Sequence, residues 1–181
     1  MSGRLEIILG CMYSGKSTEL LRRCNRYASI GKKVLLINHA LDTRTSDKIK
    51  THQNVTQDAI KLENLFDIWK DENYLEKFKS ADVIGIDESQ FFGDLYEFVE
   101  EIEKENMIVI ISGLDGDFKR KPFGQILECI PLCDEVVKLS AMDMVDKDGT
   151  PGIFTKRIVE GDEQTLVGAK ESYIAVSRKN Y

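Results

Sequence analysis

Residues Gly10-Cys11-Met12-Tyr13-Ser14-Gly15-Lys16-Ser17 spell G-x-x-x-x-G-K-[ST], and no other stretch restricts the fold as much. The pattern has physical meaning only between a strand and a helix. Leu5-Glu6-Ile7-Ile8-Leu9 reads as that strand, and Ser17 to Ser29 reads as that helix, stopped at Gly31. The glycines let backbone N–H groups turn toward phosphate oxygens, and the helix N-terminus adds partial positive charge. The pattern predicts a nucleoside triphosphate site. Lys16 would reach the β- and γ-phosphates, and the Ser17 hydroxyl would join a Mg²⁺ shell.

At 181 residues, with 42% hydrophobic and 31% charged residues, the composition is that of a globular protein with a substantial core. A net charge of −6 argues against bulk binding to nucleic acid or an anionic membrane. No stretch reaches bilayer-spanning length, and the first residues lack a signal-peptide layout, so a cytoplasmic location is expected. Cys11, Cys24, Cys129 and Cys133 form no C-x-x-C pair and read as small buried hydrophobes in a reducing compartment.

Strands and helices alternate through residue 139, which points to a parallel sheet covered by helices. The first helix places Leu20, Cys24, Tyr27 and Ala28 on a buried face, with Arg22, Arg23 and Arg26 solvated elsewhere. Lys33 to Ile37 is the next strand, and Asn38 to Gln57 reads mostly as loop. Leu62 to Ser80 has helical apolar spacing, broken near Asn73. Val83-Ile84-Gly85-Ile86 is a buried strand, Leu95 to Glu105 an amphipathic helix, and Met107 to Ile111 the most apolar strand. Lys121-Pro122-Phe123 suits the first turn of a short helix. Glu135 to Leu139 closes the sheet as a fifth strand. Turn clusters at Asp148–Gly152 and Gly161-Asp162 then separate strands at Ile153–Val159, Gln164–Val167 and Tyr173–Val176.

Asp87, at the end of an apolar strand, has the layout of a Walker B acid that holds Mg²⁺ directly or through water. Glu88 is the candidate general base for phosphoryl transfer to an alcohol. A glutamate polarising water in an ATPase has the same pattern, and both readings stay open on spacing alone. Leu114 to Phe123 combines two aromatic rings with three cations at the edge where α/β proteins bind ligands. Flat rings suit a base and cations suit phosphates, although Phe118 and Phe123 would equally serve as core.

On four segments the chain resembles the thymidine kinase family of cellular cytosolic, poxviral and many bacterial enzymes (the type II thymidine kinases). These are the phosphate loop continued through Thr18-Glu19-Leu20, Asp42-Thr43-Arg44, Ile84 to Phe92, and Gly113 to Phe123. The resemblance runs from Leu5 to Tyr181, with Thr155-Lys156-Arg157 and Tyr173 falling into place behind the four segments. It implies that the loop Gly10–Ser17, Asp42, Thr43, Arg44, Asp87, Glu88, Ser89 and Gln90 line the ATP and Mg²⁺ site, with Ser17 and Asp87 nearest the metal. It implies Glu88 as proton acceptor for the nucleoside 5′-hydroxyl. Phe118 would pack on thymine, with Met12, Leu114, Phe123 and Thr155 around it. Gln164, Thr165, Leu166, Val167 and Gly168 would form a lasso over the nucleoside, and Tyr173 would close the pocket. The resemblance further implies a homotetramer, feedback inhibition by thymidine triphosphate, and a role in deoxyribonucleoside salvage for DNA synthesis.

One departure stands out. The family holds its small lobe with zinc on two C-x-x-C pairs, and those positions here are Asp143, Asp146, Ser177 and Asn180. A closed structural zinc site needs thiolates or imidazoles. Zinc is therefore expected to be absent, with the carboxylates on a solvated loop and the lobe resting on Ile153, Phe154, Ile158, Leu166, Ile174 and Val176.

The expected fold is α/β: a P-loop, RecA-like parallel sheet flanked by helices over residues 1–140, and a small β-rich lasso lobe over 141–181. The expected reaction is transfer of the ATP γ-phosphate to the 5′-hydroxyl of thymidine, with deoxyuridine as a second acceptor. Small molecules are the expected partners, without nucleic acid or membrane. Another P-loop nucleoside or nucleotide kinase and a non-catalytic or ATP-hydrolysing switch are the alternatives.

Overall fold

The computed structural model describes residues 3–42, 48–50, 56–164 and 172–181. In chain order the elements begin with β1 (Arg4–Gly10), α1 (Lys16–Ala28), β2 (Val34–His39), β3 (Lys48–Lys50), β4 (Thr56–Asp58) and β5 (Ile60–Leu62). A 3₁₀ turn (Leu65–Trp69), α2 (Glu72–Ser80), β6 (Val83–Ile86), α3 (Leu95–Ile102), β7 (Ile108–Gly113) and β8 (Glu135–Leu139) follow. The last strands are β9 (Ala141–Met142), β10 (Pro151–Gly152), β11 (Phe154–Arg157) and β12 (Tyr173–Val176).

Six strands form one sheet in the order β5-β2-β6-β7-β1-β8, every neighbouring pair parallel. Strand side chains alternate between faces. Leu5, Ile7 and Leu9 of β1 pack with Phe78 of α2 and Leu95, Phe98 and Ile102 of α3. Ile8 faces the other way, with Leu20, Leu21 and Cys24 of α1. Both faces being covered explains why the inner strands read as continuous apolar runs.

Several expectations change. Ala28 is exposed, and Leu21 takes its place on the buried face of α1. Arg23 is not solvated: it pairs with Glu6 at 2.5 Å and Glu19 at 2.8 Å, with 11% of its side chain exposed. Burial raises the Glu6 carboxyl, but hydrogen bonds from Arg4 and Arg23 outweigh it and hold it below its ordinary value. The stretch read as loop contains the antiparallel β3–β4 pair, and β5 adds a sixth strand to the sheet. The helical stretch before Ser80 breaks at Lys70-Asp71, because the Asp71 side chain caps α2 by accepting from the Asn73 and Tyr74 N–H groups.

No helix opens at Lys121-Pro122-Phe123. Arg120 is left-handed at φ 58°, Asp117 N–H donates to the Lys121 carbonyl, and Pro122 bridges to Gly116. These contacts close a tight loop. β9 pairs with β10 and β11 with β12, both antiparallel. Thr155, Tyr173, Ala175 and Val176 are buried there, whereas Ile158 is 54% exposed and supports nothing. Gln164 lies in a bend, and the rest of the strand expected at Gln164–Val167, with Leu166, lies outside the described residues. Cys11, Cys24 and Cys129 are buried free thiols and Cys133 is half-buried; burial pushes Cys24 and Cys129 up to about 12. No helix among the described residues is long and apolar enough to cross a membrane.

Candidate active site

The carboxyl ends of β1, β7 and β6 lie side by side, because β7 is hydrogen-bonded to both others. The segments leaving those ends are Gly10–Ser17, Leu114–Phe123 and Asp87–Gln90. Gly15 is the N-cap of α1 at φ 86°, a left-handed conformation that glycine adopts without strain. The first N–H groups of α1 have no carbonyl one turn back, so they are donors for an anion. Lys16 Nζ and Ser14 Oγ both donate to the Cys11 carbonyl at 2.8 Å, which keeps the loop compact. Burial pulls the Lys16 ammonium down, against the opposing pull of the Glu88 and Asp87 carboxylates.

Asp87 follows β6 and is 1% exposed; its Oδ1 accepts from Ser112 Oγ at 2.5 Å. Oxygen donors of this kind, with the Ser17 hydroxyl at the start of α1, suit a hard cation such as Mg²⁺. Glu88 adopts a left-handed backbone at φ 52°. Such a conformation costs a non-glycine residue on the order of 1 kcal/mol and persists only where its surroundings hold it. Gln90 holds it there: its Nε2 donates to Glu88 Oε2 at 2.7 Å, and its Oε1 accepts from the Leu114 N–H at 3.0 Å. One amide thus couples the candidate base to the aromatic loop. Ser89 is fully buried.

Asp42 is buried beyond β2, its Oδ2 accepting from Asn38 Nδ2 at 2.8 Å. Thr43 and Arg44 lie outside the described residues, as do Thr165, Leu166, Val167 and Gly168.

The segments after β9 reach the same edge. Met12 N–H donates to Thr155 Oγ1 at 3.0 Å, and Cys11 Sγ donates to the Gly152 carbonyl at 3.2 Å. The Arg157 guanidinium lies 3.8 Å from the Phe118 ring centroid and donates to the Tyr173 hydroxyl at 2.5 Å. Phe123 is buried edge-on against Phe91. Gln164 Nε2 donates to Asp117 Oδ2 at 2.9 Å, while Asp117 Oδ1 accepts from the Lys119 and Lys121 N–H groups. Met12 and Thr155 are in direct contact, Phe118 and Tyr173 share Arg157, and Gln164 reaches Asp117, the chain neighbour of Phe118. Ser112, Asp117 and Arg157 were not singled out as site residues from sequence. A lone hydroxyl ending an otherwise apolar strand was the available signal for Ser112.

Asp143, Asp146, Ser177 and Asn180 also meet. Asp143 is not on a solvated loop; it is 1% exposed. Its Oδ1 accepts from Ser177 N–H, and its Oδ2 from Asp146 N–H at 2.9 Å and Asn180 Nδ2 at 2.7 Å. Lys179 pairs with Asp146 at 3.1 Å.

A family model described as "Thymidine kinase" matches residues 3–181. The "Thymidine kinase" of Vaccinia virus (strain Ankara) is 41% identical over 179 residues, covering 99% of this chain and 97% of that protein. "Thymidine kinase 1" of Dictyostelium discoideum is 40% identical over all of this chain and 78% of its own length. "Thymidine kinase, cytosolic" of Cricetulus griseus is 41% identical over 99% of this chain and 73% of its own length.

Proposed function

This chain belongs to the thymidine kinase family, and from that premise we propose that it transfers the γ-phosphate of ATP to the 5′-hydroxyl of thymidine. The observation that carries the reading is the Glu88–Gln90–Leu114 connection, at the sheet edge where the phosphate loop also opens. Glu88 accepts the proton of the 5′-hydroxyl as its oxygen attacks, a role worth about 10²–10⁴-fold in rate. Loop N–H groups and Lys16 hold the β- and γ-phosphates and offset the charge that moves onto them. Asp87 and the Ser17 hydroxyl would hold a magnesium ion. When bound, that ion supplies positive charge to the phosphate oxygens. Asp42, Thr43, Arg44 and Ser89 complete the nucleotide side.

On the acceptor side the thymine ring stacks on Phe118. Met12, Leu114, Phe123 and Thr155 shape the pocket, Tyr173 closes it, and Gln164 to Gly168 fold over the nucleoside. Deoxyuridine fits the same reading. We place the boundary between a nucleotide-binding unit and the lasso lobe near residue 140. Cytoplasmic location, homotetramer assembly, inhibition by thymidine triphosphate and a lobe without zinc belong to the same proposal.

A coupled assay of ADP release with and without thymidine tests it. Release that requires thymidine, with thymidine monophosphate as product, is expected. Release independent of any nucleoside would make the chain an ATPase switch, and phosphorylation of a nucleoside monophosphate would move the acceptor.

A further inference from the structure

The strand β7 reads Ile-Val-Ile-Ile-Ser-Gly, and Ser112 carries its one polar side chain. It is fully buried, as are Ile110 and Ile111 before it. A hydroxyl in such surroundings is costly unless it is hydrogen-bonded. Its partner is Asp87 Oδ1, at a 2.5 Å separation typical of a hydroxyl donating to an ionised carboxylate.

The ladder explains why these two residues meet. Ile86 pairs with Ile111 across β6 and β7, so the next residues, Asp87 and Ser112, are neighbours. On its other side Ser112 is opposite Ile8 of β1, two residues before the phosphate loop begins. Alternation places Ser112 with Ile110 and Ile8, on the face covered by α1. Asp87 shares that face with Val83. The helix on that face begins with Lys16 and Ser17. Ser112 is thus the bridge across the strand that separates Asp87 from the phosphate loop.

We infer that Ser112 is a positioning residue for metal binding: its hydroxyl fixes the rotation of the Asp87 carboxylate toward the cation that accompanies ATP. The inference rests on the reading of Asp87 as a magnesium ligand. Groups behind a metal ligand set its orientation, and their loss typically lowers metal affinity or activity about 10–100-fold. Ser112 touches neither nucleotide nor nucleoside in this assignment, so its loss acts on the magnesium dependence alone.

The test is titration of ATP binding with magnesium chloride, followed by calorimetry on the full chain, alongside steady-state kinetics. Ser112→Ala is expected to raise the half-saturating magnesium concentration about ten-fold or more. Its affinity for magnesium-free ATP and its KM for thymidine stay within about two-fold of the parent, and excess magnesium restores turnover. Ser112→Cys, similar in size but a weaker donor, shifts the magnesium midpoint in the same direction by less; it also serves if the alanine variant folds poorly. An unchanged midpoint in either folded variant overturns the inference, as does an equal loss of magnesium-free ATP binding. Asp87→Asn in the same titration separates the two levels. If it leaves the midpoint at the parental value, the reading of Asp87 itself fails. If it moves the midpoint while Ser112→Ala does not, only the role of Ser112 fails.

Discussion

The backbone N–H of Ser177 donates to Oδ1 of Asp143 over 2.7 Å, joining segments 34 residues apart. With Asp146 N–H and Asn180 Nδ2 on the other oxygen, one carboxylate gathers the turn after β9 and the chain after β12. Purified protein is expected to carry fewer than about one zinc per four chains, and a strong chelator should leave its melting temperature unchanged. Stoichiometric metal, or melting on chelation, would remove Asp143 from this role.

The same carboxylate makes a pH prediction. Burial raises Asp143, but hydrogen bonds from Asp146, Ser177 and Asn180 outweigh it and hold the group below its ordinary 3.8. A depressed folded value means that its stabilisation is present above 3.8 and lost as pH falls through the lowered value. Asp143→Asn should therefore melt well below the parent near neutral pH, and the gap should close in strong acid. Asp146, Asp148 and Lys179 lie close by, so melts are compared between the two proteins at each pH rather than read from one curve. A gap that persists undiminished in acid would show that the carboxylate charge is not what matters.

Glu88→Gln should keep the fold and ATP affinity while lowering turnover at least about 10²-fold. The Gln90 contact at 2.7 Å survives in modified form, since an amide oxygen can still accept it. Near-parental turnover at saturating thymidine would mean that another group takes the proton.

Phe118→Ala should raise the thymidine constant about 10- to 100-fold, since an aromatic ring stacked on a base contributes about 1–3 kcal/mol. The Arg157 guanidinium lies 3.8 Å and Lys119 Nζ 5.3 Å from the ring centroid, so the base shares the ring with these cations. Equal losses for ATP and thymidine, measured by direct binding, would instead make Phe118 part of the core.

Gly113→Ala should disturb catalysis from a position that touches no substrate. A Cβ there would stand 2.6 Å from Ser89 Oγ and 2.8 Å from Gln90 Oε1, closer than real side chains approach. Overpacking of this kind costs about 1–3 kcal/mol, and relief here requires Gln90 to leave Glu88 and Leu114. Lower turnover in a variant that still folds is expected, and parental turnover would show that the Gln90 bridge to Glu88 and Leu114 is intact.

The parts of the fold legible in sequence are those whose signal is local. The Gly10–Ser17 loop with its strand and helix, Val83–Ile86 and Tyr173–Val176 all stand where their patterns put them. β5 was not legible because three residues carry no period, and its strand character comes from lying beside β2. Lys121-Pro122-Phe123 misled because proline at a first helical turn and proline in a closed loop look alike until the Asp117 carboxylate is seen holding two N–H groups. The site shows the same divide. Asp87 and Glu88 declare themselves at a strand end, whereas Ser112 and Arg157 matter through partners 25 and 16 residues away.

The place of β1 between β7 and β8 has a consequence for biosynthesis. The strand that leads into the phosphate loop leaves the ribosome before either of its neighbours, which exist only once Ile108 and Glu135 have been added. At translation rates of about 5–20 residues per second, that wait is on the order of 5–20 s for the first neighbour alone. During it Ile7, Ile8 and Leu9 form an apolar edge with no strand to pair with, which is the kind of segment that nascent-chain chaperones shield. The nucleotide cradle is made well before the strands that seat it in its sheet.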